Sequence, residues 1–345
     1  MNDVPTKAPI VRELEELLAA DPAFRQRLEA ALRERDEQAG DNWREVTAGE
    51  FCRYFERWLT CMPVLDKEQS FLDDFLVFHR TREALALVRE APLAPWLNRF
   101  AQARGAFLDS EDSAGMVAHW SGHRLIQMAD YLVPEQGFRN FNEFFTRRIK
   151  PGARPIASPL DDEVLTSPAD CEVQEALALD PDTQLSVKGK SLQLDQLLPG
   201  DPFAESFRGG EAMVLFLDVQ DYHRFHAPAA GRIVHDVKFG GLCFGCDEYP
   251  GQFFNEHHRG FFVLETGFGR IGMVTVGIAT VSSVNHTSEA GDHVAKGDEL
   301  GHFAYGGSAI LLLFPPGRAH LDGFSKNEHI LMGSRIGRFN PRHPR

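Results

Sequence analysis

The sequence lacks any apolar run long enough to cross a bilayer as a helix, which takes about eighteen to twenty residues. Its longest apolar stretches, such as Ala309–Phe314, have the length of a strand. The N-terminal segment also lacks the apolar core of a secretory signal, because charged side chains recur from Arg12 to Arg27. These absences predict a cytoplasmic protein without an integral membrane segment.

Cysteines are also few, and basic residues are outnumbered by acidic ones. The five cysteines are odd in number and widely spread, which favours free thiols in a reducing compartment. Cys243 and Cys246 form a lone C-x-x-C, a weak signal for zinc or redox chemistry without a second pair. The 36 Lys and Arg residues against 50 Asp and Glu give a net charge of −14, which repels phosphate backbones. Nucleic acid is therefore excluded as an expected partner.

The 345 residues, 43% of them hydrophobic, are enough to bury a large core. Residues 1–145 show the apolar spacing of amphipathic helices, and Thr47 with Glu50 has the pattern of a capping box. From residue 146 glycine and proline become frequent between short apolar runs, which is typical of strands. We therefore predict an α+β fold, with a helical N-terminal region (1–145) followed by a β-rich domain (146–345). In the segments 226–233 and 291–301, the spacing of the turn residues resembles that of paired turns in a barrel-sandwich arrangement.

Four segments contain residue types that could carry chemistry. Two glycines precede Ser308 and the apolar run behind it; His223 and His226 end a strand-like segment; Asp170 ends a proline-containing loop; and residues 141–155 join an aromatic helix end to a basic loop. Each has an ordinary structural interpretation when taken alone, as a turn, a satisfied histidine, a capping aspartate or a packed helix. Side chains three residues apart on a strand point to opposite faces, so the two histidines are expected to have separate roles rather than share a metal.

Taken in this order, the four segments resemble the phosphatidylserine decarboxylase family over roughly residues 140–320. The resemblance rests on Phe144-Phe-Thr-Arg147 with Lys150–Ile156, Ser167-Pro-Ala-Asp170, Asp221-Tyr-His-Arg-Phe-His226-Ala-Pro228 and Gly307-Ser308. Weaker agreement links them at 188–198, 255–259, 276–281 and 296–299.

The resemblance implies a pyruvoyl-dependent decarboxylase, a carboxy-lyase made as a zymogen. Ser308 would become the pyruvoyl group when the chain cleaves itself between Gly307 and Ser308, leaving a large β chain (1–307) associated with a small α chain (308–345). His226 would be the base for self-cleavage, Asp170 would orient His226, and His223 would act in decarboxylation. The pyruvoyl group would form a Schiff base with the substrate amine, so that no metal and no added cofactor are required.

The substrate is the least determined part. Cys171 stands where the family usually has glycine, Ala309 stands where serine or threonine is common, and the N-terminal region is acidic rather than lipid-facing. With residues 201–203, these features resemble the branch that decarboxylates free amino acids. We therefore predict a free aromatic L-amino acid such as tryptophan as the substrate. The alternative is phosphatidylserine, converted to phosphatidylethanolamine in phospholipid biosynthesis, which would require peripheral membrane contact.

Two further alternatives come from other classes. The paired turns could belong to a non-catalytic carrier or binding module modified on Lys296. A metal-dependent hydrolase could use His223, His226 and one of the cysteines of the C-x-x-C. The sequence leaves open the oligomeric state, including a homodimer.

Overall fold

A computed structural model of the chain describes residues 7–34, 43, 46–63, 65, 71–179, 184–187, 190–244, 254–278 and 283–341. Lys188, Cys246 and Thr280, which the sequence motifs include, lie outside these ranges.

The helical part precedes the strands. Its longer α-helices are amphipathic and turn buried apolar side chains toward each other. The α-helices of the described chain are α1 (Pro9–Ala20), α2 (Pro22–Arg33), α3 (Ala48–Thr60), α4 (Phe71–Phe78), α5 (Arg82–Arg89), α6 (Leu93–Leu108), α7 (Val117–Ser121), α8 (Phe141–Phe145) and α9 (Leu194–Leu197).

The helix ends follow the local sequence signals. Asp21 accepts from two backbone N–H groups at the start of α2, where Pro22 occupies the first turn. Thr47 and Glu50 form the predicted capping box at the start of α3, with both reciprocal hydrogen bonds present. The starts of α2 and α3 therefore lie where these capping residues predict them.

The strands are short and occupy the second half of the chain. They are β1 (Val164–Thr166), β2 (Cys171–Ala178), β3 (Gln184–Val187), β4 (Lys190–Gln193), β5 (Glu211–Leu217), β6 (Arg224–His226), β7 (Gly231–Phe239), β8 (Arg259–Glu265), β9 (Arg270–Ile278), β10 (Val284–His286), β11 (His293–Val294), β12 (Glu299–Phe303), β13 (Gly307–Phe314), β14 (Ala319–Leu321), β15 (Glu328–Ile330) and β16 (Arg335–Phe339).

The largest sheet has eight antiparallel strands in the order β11-β7-β8-β9-β13-β5-β2-β15. Two three-stranded sheets, β1-β16-β14 and β10-β12-β6, and the β3-β4 hairpin complete the described part. The apolar run predicted as a strand forms most of β13, which lies between β9 and β5 and is buried along its whole length. A strand buried on both faces reads as a continuous apolar run, as this one does.

The two turn segments singled out in the sequence pair with each other. β6 pairs with β12, and β7 pairs with β11, so that His226 stands opposite Glu299 and Arg232 opposite His293. The backbone N–H of Gly297 also donates to the Ala227 carbonyl across 2.8 Å. This pairing brings the loop before Glu299 against the segment that holds the two histidines.

The helices have their own apolar core, and it extends into the strand-rich half through Cys243 and Phe244. Asn98 fastens the same loop, since its side chain donates to the Gly241 carbonyl and accepts from the Cys243 N–H, both across 2.9 Å. The helical N-terminal region and the β-rich second half confirm the predicted α+β class, whereas a domain boundary at residue 145 stays a prediction. No helix among the described residues is both long and apolar enough to span a membrane.

Candidate active site

Ser308 lies at the start of the central strand β13 and is fully buried. It stands between Leu217 of β5 and Gly277 of β9. Gly277, the cross-strand neighbour of Ser308 on β9, contributes no side chain on the face that carries the hydroxyl. Gly306 has a φ of 153°, which a residue with a side chain rarely adopts, so the chain enters the strand through a bend that requires glycine.

His223 is the hydrogen-bond partner of Ser308. Its Nδ1 lies 3.4 Å from the Ser308 Oγ, and its Nε2 lies 2.9 Å from the Asp218 carbonyl oxygen. A carbonyl can only accept, so Nε2 carries the hydrogen and Nδ1 presents a lone pair to the hydroxyl. Burial lowers the pKa of His223 to about 3, so this imidazole is neutral near pH 7.

His226 has a different set of partners. Its Nδ1 lies 2.8 Å from the Gly297 carbonyl and must therefore carry a hydrogen, which leaves Nε2 to accept from the Tyr222 hydroxyl across 3.0 Å. Burial lowers the pKa of His226, while Glu299 and Asp170 act in the opposite direction. The two histidines thus have separate environments, and their separate roles stay a prediction.

Asp170 is buried and paired with Arg154. The Arg154 Nε lies 2.9 and 3.0 Å from the two carboxylate oxygens, and Nη2 lies 2.6 Å from Oδ2. The Met332 N–H also donates to Asp170 across 2.8 Å. A carboxylate removed from water requires such compensation, and a guanidinium supplies it with matching geometry.

The described structure therefore does not form the hydrogen-bonded chain Asp170–His226–Ser308 that the resemblance led us to expect. Asp170 is saturated by Arg154 and Met332, both nitrogens of His226 are engaged, and His223 occupies the place beside Ser308. Asp170 acts on His226 through its charge instead of a direct bond. The catalytic roles of the three residues stay predictions.

Several residues of the segment 141–155 reach this site, and sequence reasoning assigned them no role. Phe145 stacks on the His223 ring with centroids 4.1 Å apart. Arg147 is buried, lies over the Tyr131 ring at 4.2 Å, and donates to the carbonyls of Gln220 and Asp221. The sequence motif includes this segment, but only the fold shows that its aromatic end packs on His223.

The surroundings disfavour the two other classes considered. Lys296 is buried and donates to the carbonyls of Ser158 and Asp161 across 3.1 and 2.6 Å, whereas a carrier lysine must project into solvent. The described residues contain no cluster of three metal-ligating side chains, and both nitrogens of each candidate histidine have other partners. Cys171, which stands where the family usually has glycine, is buried, and its Sγ lies 3.5 Å from the Ala169 carbonyl oxygen.

The arrangement is that of a serine prepared to react inside the protein. A hydroxyl shielded from water, a glycine carbonyl directly before it and a neutral imidazole beside it are elements that intramolecular acyl transfer can use. These are the features that a self-processing serine at a Gly-Ser bond would need.

Comparison with known proteins agrees with this class. A family model described as phosphatidylserine decarboxylase matches residues 141–338, more than half of the chain. The chain is 32% identical over 252 residues to a phosphatidylserine decarboxylase proenzyme of Clostridium novyi, a match covering 69% of this chain and 84% of that protein. It is 34% identical over 195 residues to phosphatidylserine decarboxylase proenzyme 2 of rice, covering 55% of this chain and 31% of the relative. Proenzyme 3 of Schizosaccharomyces pombe is 34% identical over 232 residues, covering 64% and 24%.

The chain belongs to the phosphatidylserine decarboxylase family. Members of this family are carboxy-lyases whose pyruvoyl group is derived from a serine, which confirms the family, enzyme class and cofactor expected from the motifs. The match spans less than a third of the rice and yeast relatives and most of the clostridial one.

Proposed function

We propose that this chain is the proenzyme of a phosphatidylserine decarboxylase that cleaves itself between Gly307 and Ser308. The observation that carries the proposal is the contact between the buried Ser308 Oγ and the His223 Nδ1, 3.4 Å apart, within the region matched by the family. Ser308 fits as the source of a pyruvoyl group because it is shielded from water and follows two glycines.

Self-cleavage takes place at Gly307 and Ser308 and consumes one water molecule in its last step. The Ser308 Oγ attacks the Gly307 carbonyl carbon, and the amide nitrogen leaves to give an ester and a free amine on residue 308. Removal of the Ser308 α-hydrogen then breaks the Oγ–Cβ bond and releases residues 1–307 with a carboxylate. The dehydroalanine left at 308 isomerises to an imine, and water replaces the nitrogen, which departs as ammonia.

Two histidines compete for the role of base in this sequence. His223 is closer, but its pKa of about 3 makes it a weak base, and the Arg147 cation further disfavours its charged form. The described hydrogen bonds of His226 go to Tyr222 and Gly297 and not to Ser308. Burial lowers the pKa of His226 as well, but Glu299 and Asp170 both stabilise its charged form. We assign the cleavage step to His226, which must first exchange its Tyr222 bond, with Asp170 acting through its field.

His223 is assigned to decarboxylation. When present, the pyruvoyl group supplies a carbonyl that captures the substrate amine and an electron sink for the bond to CO₂. Once CO₂ has left, His223 beside residue 308 can take up a proton and deliver it to the α-carbon; before that step it is neutral and places no positive charge next to the substrate carboxylate. Such a charge would stabilise the ground state that must lose CO₂.

Phosphatidylserine is the substrate that the comparisons favour. Relatives from a clostridium, a plant and a yeast all bear the name phosphatidylserine decarboxylase proenzyme. The free aromatic amino acid predicted from sequence has no such support, since its signals lay in residues flanking the motifs. The cytoplasmic location, the association of the two cleaved chains and a homodimer stay predictions.

The test measures processing and turnover on one purified preparation. We expect two chains joined noncovalently and conversion of short-chain, soluble phosphatidylserine to phosphatidylethanolamine with release of CO₂. Tryptophan and tyrosine, assayed in parallel, are expected to remain unchanged. Release of tryptamine or tyramine without turnover of phosphatidylserine would restore the amino-acid substrate, and an uncut chain would overturn the proposal as a whole.

A further inference from the structure

Exposed apolar side chains recur in one short segment of chain beside the site. Five large apolar residues are exposed among the described residues, and three of them fall within one short segment. Leu125 is 45% exposed, Leu132 46% and Val133 55%. Single exposed apolar residues need no explanation, but a group on a protein surface marks a site of interaction.

Cationic side chains flank these residues. Arg148 and Lys150 are exposed on the adjoining segment, which is fastened by hydrogen bonds from Leu132 N–H to the Arg148 carbonyl and from Lys150 N–H to the Asp130 carbonyl, both 2.8 Å. We call residues 124–133 and 148–150 the rim. It carries three cationic residues, Arg124 among them, and one acidic residue, Asp130.

The charge of the rim is opposite to that of the whole chain. Asp130 is paired with the Arg154 Nη1 at 2.8 Å, so its charge is compensated within the protein. No ion pair within the described part of the chain involves Arg124, Arg148 or Lys150. In a protein with a net charge of −14, this local excess of cations faces outward together with apolar side chains.

The inner side of the rim touches the catalytic segment. Tyr131 is buried and its ring lies 6.1 Å from that of Tyr222, which donates to His226. On the adjoining segment, Phe145 stacks on His223 three residues before Arg148. The same short stretches of chain therefore hold the outer surface and the walls of the site.

We propose that the rim docks on the surface of an anionic phospholipid bilayer and so delivers the lipid head group to Ser308. This inference rests on the proposed function, since only a lipid substrate requires such docking. Apolar side chains that enter the boundary of the bilayer, together with cations attracted to anionic head groups, are the combination by which proteins bind membrane surfaces. Because the rest of the molecule is acidic, the rim also fixes the orientation of approach.

Binding is tested with vesicles of phosphatidylcholine and phosphatidylglycerol, an anionic lipid used here as a probe that is not turned over. We expect Leu132→Glu/Val133→Glu and Arg148→Glu/Lys150→Glu to weaken cosedimentation at least about fivefold each. Leu160→Glu is the matched apolar control, because Leu160 is 97% exposed and outside the rim. Arg12→Glu/Arg53→Glu is the matched charge control, since both arginines are exposed on the helical region.

Activity separates this proposal from the proposed function. Rim variants are expected to lose turnover of long-chain phosphatidylserine in vesicles but to keep wild-type turnover of the short-chain, soluble lipid. If the wild-type chain turns over neither lipid, the proposed function fails whatever the vesicles show. If rim variants bind and turn over vesicles like the wild type, or if the controls weaken binding equally, docking through the rim is overturned. If the rim binds a protein partner and not vesicles, docking on a bilayer is likewise overturned.

Discussion

His329 donates a hydrogen bond from Nε2 to the Oδ1 of Asp221 across 2.9 Å, and the predicted cleavage places these two residues on different chains. The other carboxylate oxygen of Asp221 accepts from the Asp218 N–H at 2.8 Å, and the Asp218 carbonyl holds His223. A half-exposed histidine of the small chain is thus connected, through one turn of the large chain, to the imidazole beside Ser308.

This pair predicts a pH dependence of stability. The hydrogen bond and charge of Asp221 raise the pKa of His329 above 6.5, and the charges of Asp170 and Glu172 act in the same direction. A raised pKa means that the folded state binds the proton more tightly, so the contribution is complete below pH 6.5 and is lost as pH rises through the folded value. Because His329 is partly exposed, we expect less than about 1 kcal/mol.

The measurement compares the melting temperature of the wild type with that of His329→Gln between pH 5 and 9. The difference should be largest in acid and should shrink above about pH 6.5. His320→Gln, a substitution of an exposed histidine on β14, is the control and should change little at any pH. A difference that is constant across the range would contradict a contribution from the charge of His329.

Ser308→Ala should remain a single chain of 345 residues, because no hydroxyl is left to attack the Gly307 carbonyl. The wild type should give a small chain of 345 − 307 = 38 residues, lighter than its sequence by the change from serine to pyruvoyl. Intact-mass spectrometry under denaturing conditions distinguishes the two. Ser325→Ala, on an exposed residue of the same small chain, should cleave normally. Cleavage of Ser308→Ala at the same bond would show that a protease, not the chain, cuts there.

The local elements of this fold could be predicted from sequence, whereas the partners of the site residues could not. The capping box at Thr47 and the apolar run of β13 each depend on neighbours within a few residues, and both predictions are confirmed. The partner of Asp170 is Arg154, sixteen residues away across a loop, and nothing in the spacing distinguishes it from other nearby cations. The motif order identified the family, but the contacts within the site depend on how distant strands pack.

Substitution of His226 and substitution of His223 should impair different steps, self-cleavage and decarboxylation respectively. His226→Ala should slow self-cleavage at least about tenfold, because the imidazole whose charged form Asp170 and Glu299 stabilise is gone. His223→Ala should yield cut protein that fails to decarboxylate phosphatidylserine. Tyr222→Phe should cleave at least as fast as the wild type, since its hydroxyl no longer occupies the His226 Nε2. Intact mass and CO₂ release measure the two steps.

These histidine variants also test the geometry directly. If His223→Ala remains uncut while His226→Ala cleaves normally, the 3.4 Å contact with Ser308 identifies the base and our assignment is wrong. Circular dichroism of each variant shows whether an uncut chain is folded.

The buried pair of Arg154 and Asp170 predicts a large loss of stability on removal of one partner. Their side chains are only 5% and 4% exposed, so Arg154→Ala leaves a buried carboxylate that has lost its ion-pair partner and keeps the Met332 N–H as a hydrogen-bond donor. Breaking such a pair costs about 3–5 kcal/mol, and Arg154→Lys should recover only part of it because an ammonium cannot reproduce the two-pronged contact. Arg338→Ala is the matched control, since its partner Glu163 is 38% exposed and such surface pairs contribute less than about 1 kcal/mol. Denaturant unfolding of the uncut Ser308→Ala protein measures both variants without interference from cleavage. Equal losses for the two arginines would mean that Asp170 is compensated by water rather than by Arg154, and that its field on His226 is correspondingly weaker.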